Sequence, residues 1–476
     1  MHTYFIFGIF IFFLNTLCVI SLIFIERRKP TTTWAWILVL TLLPGIGFLI
    51  YLIFGQNLSR EKIFKQKTLR DEKKAYILEK KLNLTNGKID VTNEFSDLLK
   101  MNFNHCGSIY TIGNEVEVYT KGSDKFKNLL KDIKNAKKFI HLEYYIFRFD
   151  SLGQEIINAL KEKVDEGLEV RLLVDGMGSR TLACKYKKYI RSLGINFEVF
   201  FPGLFTYINL RINYRNHRKL AIIDGEIGYV GGFNVGDEYV NGGDMFPFWR
   251  DTHLRIQGEA VNELNKRFLM DWDYAAKEDL FNNKKYFPLA KNLGSIGIQV
   301  VSSGPDNKEE YIENSYLKII NNAKKNVYIQ TPYLVLDDSL INALKISALS
   351  GVDVKIMVPY KNDAIYMKWA VNSNIALLID CGVKFYKYKK GFIHAKTIVA
   401  DSNVASVGTA NFDIRSFKLN FEVVSVIYNE KLVRKLENIF INDEKNCFIL
   451  SKENFAHRKK TTKIMEALIR LVSPIL

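Results

Sequence analysis

Two short stretches of the sequence hold the same set of side chains able to grip and attack an anion. In "NHRKLAIID" His217 and Lys219 stand two apart and Asp224 five further on, followed by Gly231, Gly232 and Asn234. In "IHAKTIVAD" the same places hold His394, Lys396 and Asp401, followed by Gly408, Thr409 and Asn411. The intervals of two, five, seven, one and two are identical, in a chain with only 7 histidines. Imidazole serves as nucleophile or as acid and base near neutral pH. Ammonium and carboxamide groups donate hydrogen bonds that suit phosphate oxygens. A lone His-x-Lys pair is ordinary on a strand edge. Core packing gives no reason to keep two such sets in step.

The spacing also fixes how the groups are presented. Side chains alternate faces along an extended strand, so His217 and Lys219 project together while Arg218 points away, as do His394 and Lys396 around Ala395. "LAII" and "TIVA" are strand core. Asp224-Gly225 is a tight turn into the returning strand "IGYV", and Asp224 and Asp401 are expected to close such turns more than to move protons. The glycines are expected to let backbone approach a ligand, with Asn234 and Asn411 as nearby donors. Two copies face to face surround one phosphodiester with two His, two Lys and two Asn, and such a site needs no metal. One His attacks phosphorus; the other protonates the leaving alkoxide and later deprotonates the incoming hydroxyl, a contribution of about 10²–10⁴-fold. The lysines stabilise the added negative charge.

The elements needed to bring the copies together are also present twice. "AKKFIHLEYYIF" from Ala136 and "AKKNVYIQTPYLV" from Ala323 are strands, each followed by a helical pattern, a glycine (Gly167, Gly351) and a second apolar strand. These are βαβ units. Ala136 and Ala323 are 187 residues apart, Gly167 and Gly351 184, and His217 and His394 177, so small deletions separate two homologous halves, placed at 108–290 and 291–476. Ahead of them, Tyr4–Ile25 and Trp34–Phe54 contain no charged residue. Each has about the 20 residues that a helix needs to cross a bilayer. The expectation is a membrane hairpin over 1–57, with helices at about 4–25 and 34–54, then a charged connector over 58–107. Arg27, Arg28 and Lys29 lie in the turn, whereas seven Lys or Arg fall between Arg60 and Lys74. That bias puts the catalytic halves in the cytoplasm. The last stretch, "HRKKTTKIMEALIRLVSPIL", has basic and apolar positions on opposite helical faces. The formal charge of +16 suits an anionic partner. The five scattered cysteines suggest reduced thiols and no structural metal.

Both motifs, complete as HxKxxxxD followed by G-[GST]-x-N, resemble those of the phospholipase D superfamily. Within it, "RRKPTTTWAWILVLTLLPGIGFLIYLIFG", "HLEYYIFRFDSLG", "RNHRKLAIIDGEIGYVGGFNVGDEY", "FWRDTHLRIQGEAV" and the final "SPIL" are similar to bacterial cardiolipin synthases of the two-helix-hairpin type. The resemblance covers nearly the whole chain. It implies an α/β fold: two homologous α/β/α sandwich domains with mixed sheets about a pseudo-twofold axis, preceded by a transmembrane hairpin. It implies His217 as nucleophile and His394 as general acid and base, a pair that symmetry leaves open to exchange. Phosphate is expected at Lys219, Lys396, Asn234, Asn411, Gly232 and Thr409. Glu422 in "NFEVV" is expected to orient His217, and Asp251 in "WRDTH" to orient His394. The implied reaction is phosphatidyl transfer between two phosphatidylglycerol molecules, giving cardiolipin and glycerol, with no cofactor, metal or nucleic acid, at the cell membrane. A hydrolase of the same superfamily, a nuclease or a non-catalytic membrane scaffold are the rival classes.

Overall fold

The computed structural model describes residues 2–24, 30–43, 45–51, 64, 67–68, 95–202 and 213–472. Most of the connector therefore lies outside the described residues, as do the turn at 25–29 and the terminal "SPIL".

The two copies build one continuous mixed sheet whose strand order is a palindrome. The first half runs Asn196–Phe200, Glu169–Asp175, Phe139–Tyr144, Lys219–Ile223, Ile227–Gly231, His253–Gln257 and Tyr110–Tyr119. From Ile296–Ser303 the second half repeats that order outwards: Asn420–Tyr428, Val404–Gly408, Thr397–Ala400, Asn326–Gln330, Asp353–Pro359 and Lys384–Tyr388. Cys447–Leu450 adds an outer strand. The halves join where Tyr110–Tyr119 pairs antiparallel with Ile296–Ser303. In each half the strands joined through a helix are parallel and the hairpin strands antiparallel, as connection length dictates.

Each motif strand is apolar and β-branched and is buried on both faces, hence the near-continuous apolar runs. Helices cover those faces. Asp150 and Asp337 cap the crossover helices Ser151–Asp165 and Asp338–Leu349 by accepting backbone N–H bonds. Ala260–Ala276 packs Leu264, Phe268 and Trp272 into a core shared by both halves, with Val407 and Phe421 of the second. Helix Ser96–Cys106 lies in the stretch assigned to the connector, yet Leu98 and Leu99 are buried in the core of the second half. Lys67, in the same stretch, is buried 2.8 Å from Asp306 and 3.6 Å from Asp271.

The N-terminal runs differ from expectation in one respect. The first is helical over His2–Phe24, but the second is two helices, Pro30–Leu42 and Ile46–Ile50. The second of these begins after Gly45, which has φ +85°, in the left-handed region that favours glycine. Asn15 Nδ2 donates to the Leu40 carbonyl at 3.1 Å, and Trp36, Leu40 and Tyr51 pack together against Cys18 and Val19. Over the side chains described there, no run of helix is long and apolar enough to cross a membrane.

Candidate active site

The palindrome brings the two motif strands to one place. His217 and His394 line a single cavity of about 540 Å³, joined by Asn234, Asn411, Arg215 and Arg415. Both imidazoles are held from behind by a carboxylate of the opposite half. His217 Nδ1 lies 2.8 and 3.1 Å from the two oxygens of Glu422. His394 Nδ1 lies 2.6 Å from Asp251 Oδ2. Glu422 and Asp251 occupy equivalent strand positions, because Val424 pairs with Gly408 as His253 pairs with Gly231. A carboxylate on Nδ1 favours the tautomer whose Nε2 carries the free lone pair.

The lysines lie behind the histidines, fully buried. Lys219 Nζ donates to the His217 carbonyl at 2.6 Å and Lys396 Nζ to the His394 carbonyl at 2.5 Å. The copies differ at one contact: Lys396 Nζ is also 2.9 Å from His394 Nδ1. Burial pulls Lys219 down to about 7, partly offset by Glu422 and reinforced by Lys396. Burial likewise pulls Lys396 to about 8, with Asp251 and Glu422 opposing. His217 is lowered to about 4 by burial, against Glu422 and with Lys219. His394 is lowered to about 3 by burial and then by Lys396, against Asp251. With these protein neighbours alone, both imidazoles are neutral at pH 7.

Asp224 and Asp401 sit at the far end of their strands. The Asp224 carboxylate accepts from the N–H groups of Lys137, Lys138 and Phe139 at 2.8, 2.7 and 3.1 Å. Asp401 accepts from Lys324, Lys325 and Asn326 at 2.7, 2.7 and 3.0 Å. Both adopt φ in the left-handed region, +57° and +52°. Each pins the start of the neighbouring strand to the motif turn. Arg218 does point away, to Asp271, Ser303 and the Glu422 carbonyl.

A correction concerns Gly232 and Thr409, expected to hold phosphate: like Lys219 and Lys396, they line no part of the cavity. Thr409 Oγ1 donates to Glu422 Oε2 at 2.5 Å. A Cβ on Gly232 would stand 2.0 Å from Asp251 Oδ1, so this glycine makes room for the acid, which takes the Thr252 N–H instead. The preceding glycines likewise admit protein and no ligand. A Cβ on Gly408 would meet the Val423 carbonyl oxygen at 2.4 Å, and one on Gly231 the His253 Cα at 2.5 Å. Asn234 and Asn411 do face the cavity, with Nδ2 groups near Tyr239 Oη and Asp413 Oδ2.

Sequence reasoning missed several cavity residues. Tyr145 meets the His217 ring edge-to-face at 4.8 Å, and Trp249 lies 5.2 Å from the His394 ring. Arg215 precedes His217 by two, and Trp249 and Asn420 precede Asp251 and Glu422 by two. Period-two alternation carried upstream would have found all three. Beside the site, Glu143 is buried and accepts from Asn216 at 2.5 Å. Burial first, then Asp271, raises it to about 8. His141 bonds Asn265 at 2.8 Å and stacks on Phe268, away from the cavity. Among the described residues no group of three His, Cys, Asp or Glu is disposed to hold a metal ion.

A duplicated α/β fold with two carboxylate-backed histidines across a shared cavity defines the class of phospholipase D-like proteins. Residues 129–272 and 316–444 match the family model described as cardiolipin synthase, PLD-like domain, and residues 13–56 match one described as phospholipase D-nuclease N-terminal. A cardiolipin synthase of Clostridium perfringens is 50% identical over 95% of this chain and 96% of its own length. Cardiolipin synthase 2 of Staphylococcus epidermidis is 45% identical over 98% of this chain and 96% of its own. The crystal structure of phosphatidylserine synthase from Haemophilus influenzae covers 80% of this chain and 100% of its own at a TM-score of 0.61 and 16% identity, a likeness of fold. The chain belongs to the cardiolipin synthase family of phospholipase D-like proteins.

Proposed function

We propose that the chain is a phosphatidyltransferase that makes cardiolipin and glycerol from two molecules of phosphatidylglycerol. His217 Nε2 attacks the donor phosphorus and forms a P–N bond. The P–O bond to the terminal glycerol breaks, and His394 protonates the departing alkoxide. The headgroup hydroxyl of a second phosphatidylglycerol then returns a proton to His394 and attacks phosphorus. The P–N bond breaks and cardiolipin leaves. One phosphodiester is exchanged for another, so no nucleotide is consumed.

The observation that carries this reading is the crossed pairing His217–Glu422 and His394–Asp251 around one cavity. It also supports the division of labour. Glu422 grips Nδ1 of His217 through both oxygens and leaves its Nε2 lone pair free. Nδ1 of His394 has an ammonium beside the carboxylate, which suits a proton-transferring group. Since His394 is neutral among its protein neighbours, it becomes an acid once a phosphodiester anion enters and favours the imidazolium. Asn234 and Asn411 hold the phosphate, while Lys219 and Lys396, buried behind the histidines, place positive charge near it.

The N-terminal helices are proposed as a two-helix membrane anchor, with the catalytic halves on the cytoplasmic side. Phe10, Phe12, Phe13 and Leu17 of the first helix and Trp34 and Leu38 of the second are exposed, an apolar surface that water does not favour. The test is incubation of the purified full chain with vesicles of labelled phosphatidylglycerol. Equimolar cardiolipin and glycerol, abolished by His217→Ala, are expected. Phosphatidic acid without cardiolipin would show a hydrolase instead.

A further inference from the structure

The catalytic cavity has a neighbour of about 500 Å³ that the reaction does not use. Residues 360–368 form the wall between them. Asp363, Tyr366 and Met367 face the catalytic side, and Tyr360, Lys361, Ile365 and Lys368 face the other. Lys389 closes the second cavity from the end of the strand Lys384–Tyr388. No Asp or Glu lines it. Its three ammonium groups have no carboxylate partner among the described residues; Lys361 lies over the Phe246 ring at 5.7 Å and Lys389 over the Tyr360 ring at 5.5 Å. Behind them Lys387 donates to Asn372 at 3.0 Å. Burial and the nearby Lys368 pull Lys387 down to about 8, against Glu466, whose carboxylate is already paired with Arg458. The region holds more cations than its own acids neutralise.

Around this cationic cavity the surface is apolar. Met245, Tyr360 and Ile365 are 54%, 55% and 69% exposed. Helix Lys460–Val472 packs against Ile365–Leu378 and exposes Ile464, Leu468 and Leu471, one stripe at helical spacing. Free phosphate gains nothing from such a rim. A phosphate held at a bilayer surface does, because the apolar residues enter the interface beside it while the lysines meet the headgroup.

We infer that the second cavity is a headgroup site for an anionic glycerophospholipid still seated in the bilayer, where lipid is captured before it passes the 360–368 wall to the histidines. This rests on the transferase reading for its lipid class, but it is tested separately. The full chain and its Lys361→Gln/Lys368→Gln/Lys389→Gln variant are placed in phosphatidylcholine vesicles containing phosphatidylglycerol that bears a photoactivatable group near its headgroup. In the wild type, label is expected on peptides covering 360–368 and 389–391. Unlabelled phosphatidylglycerol should displace it, and excess inorganic phosphate should not. The variant should lose the label and need about tenfold more phosphatidylglycerol in the surface for half-maximal turnover, at an unchanged maximal rate. Unaltered labelling of the variant would overturn the site. Displacement by inorganic phosphate would show a free-anion site and overturn the lipid assignment. A fall in maximal rate with unchanged half-saturation would make the lysines part of the catalytic cavity and overturn its separateness. Should the wild type release phosphatidic acid in place of cardiolipin, the transferase reading fails while the labelling still decides this one.

Discussion

Glu422→Gln is the sharpest perturbation of the mechanism, because it changes one charge and almost no volume. Glu422 is fully buried and held by His217 Nδ1, Thr409 Oγ1 and, at 3.5 Å, Asn420 Nδ2. The carboxamide fits the same space, so the fold should survive. What is lost is the anion facing the imidazolium that forms when His217 takes phosphorus. With charge centres roughly 4 Å apart and an effective dielectric of about 20, that attraction is about 4 kcal/mol. If it acts only once the charge has formed, the rate of phosphohistidine formation falls about a thousandfold. Single-turnover quench of the detergent-solubilised full chain with labelled phosphatidylglycerol measures that step directly, and a thermal melt checks folding. A variant that melts like the wild type and forms the intermediate within about fivefold of its rate would refute the electrostatic role of Glu422.

Other consequences follow from the same geometry. Lys219→Met should abolish turnover yet raise Tm. The folded-state pKa of Lys219, about 7, lies below its ordinary 10.5, so the unfolded chain binds more protons between those values. Stability therefore rises with pH across that window, and the burial penalty is fully felt below pH 7. The Tm gain from Lys219→Met should accordingly be larger at pH 6 than at pH 10. Asp224→Ala removes the acceptor for three backbone N–H groups and leaves alanine at φ +57°. A cost of about 3–5 kcal/mol is expected, lowering Tm by roughly 5 °C, while the rate per folded molecule changes little. Gly232→Thr should inactivate the enzyme by colliding with Asp251, whereas Thr409→Gly should fold and lose about tenfold in rate with the Glu422 hydrogen bond. Because His394 sits at about 3 with no anion in the cavity, binding of tungstate at pH 7 should take up a proton, and calorimetry in two buffers of different ionisation enthalpy measures it.

The sequence announced the chemistry more clearly than the geometry that supports it. His217 with Lys219, and His394 with Lys396, could be assigned to one strand face because period two is a property of any extended chain. The duplication told only that the halves are alike; the crosswise match of Glu422 and Asp251 to the histidines was implied by the resemblance to the phospholipase D superfamily. What stayed hidden depends on which neighbour a small residue faces. A glycine beside a motif reads equally as a cradle for ligand or as a gap for protein, and only the neighbouring strand decides. At Gly232 that neighbour is Asp251, and at the matching position Thr409 reaches Glu422. The two halves thus reach one end, an acid fixed behind an imidazole, by different means: a backbone N–H of Thr252 in one, a threonine hydroxyl in the other. That divergence follows from acid length. Glutamate has one methylene more than aspartate, and its Oε2 meets the Thr409 hydroxyl, while the shorter Asp251 accepts from the N–H of its own neighbour Thr252. The second place of the G-[GST] motif therefore follows the acid of its own half, and exchanging the pairs together, glycine with aspartate and threonine with glutamate, should preserve more activity than exchanging either alone.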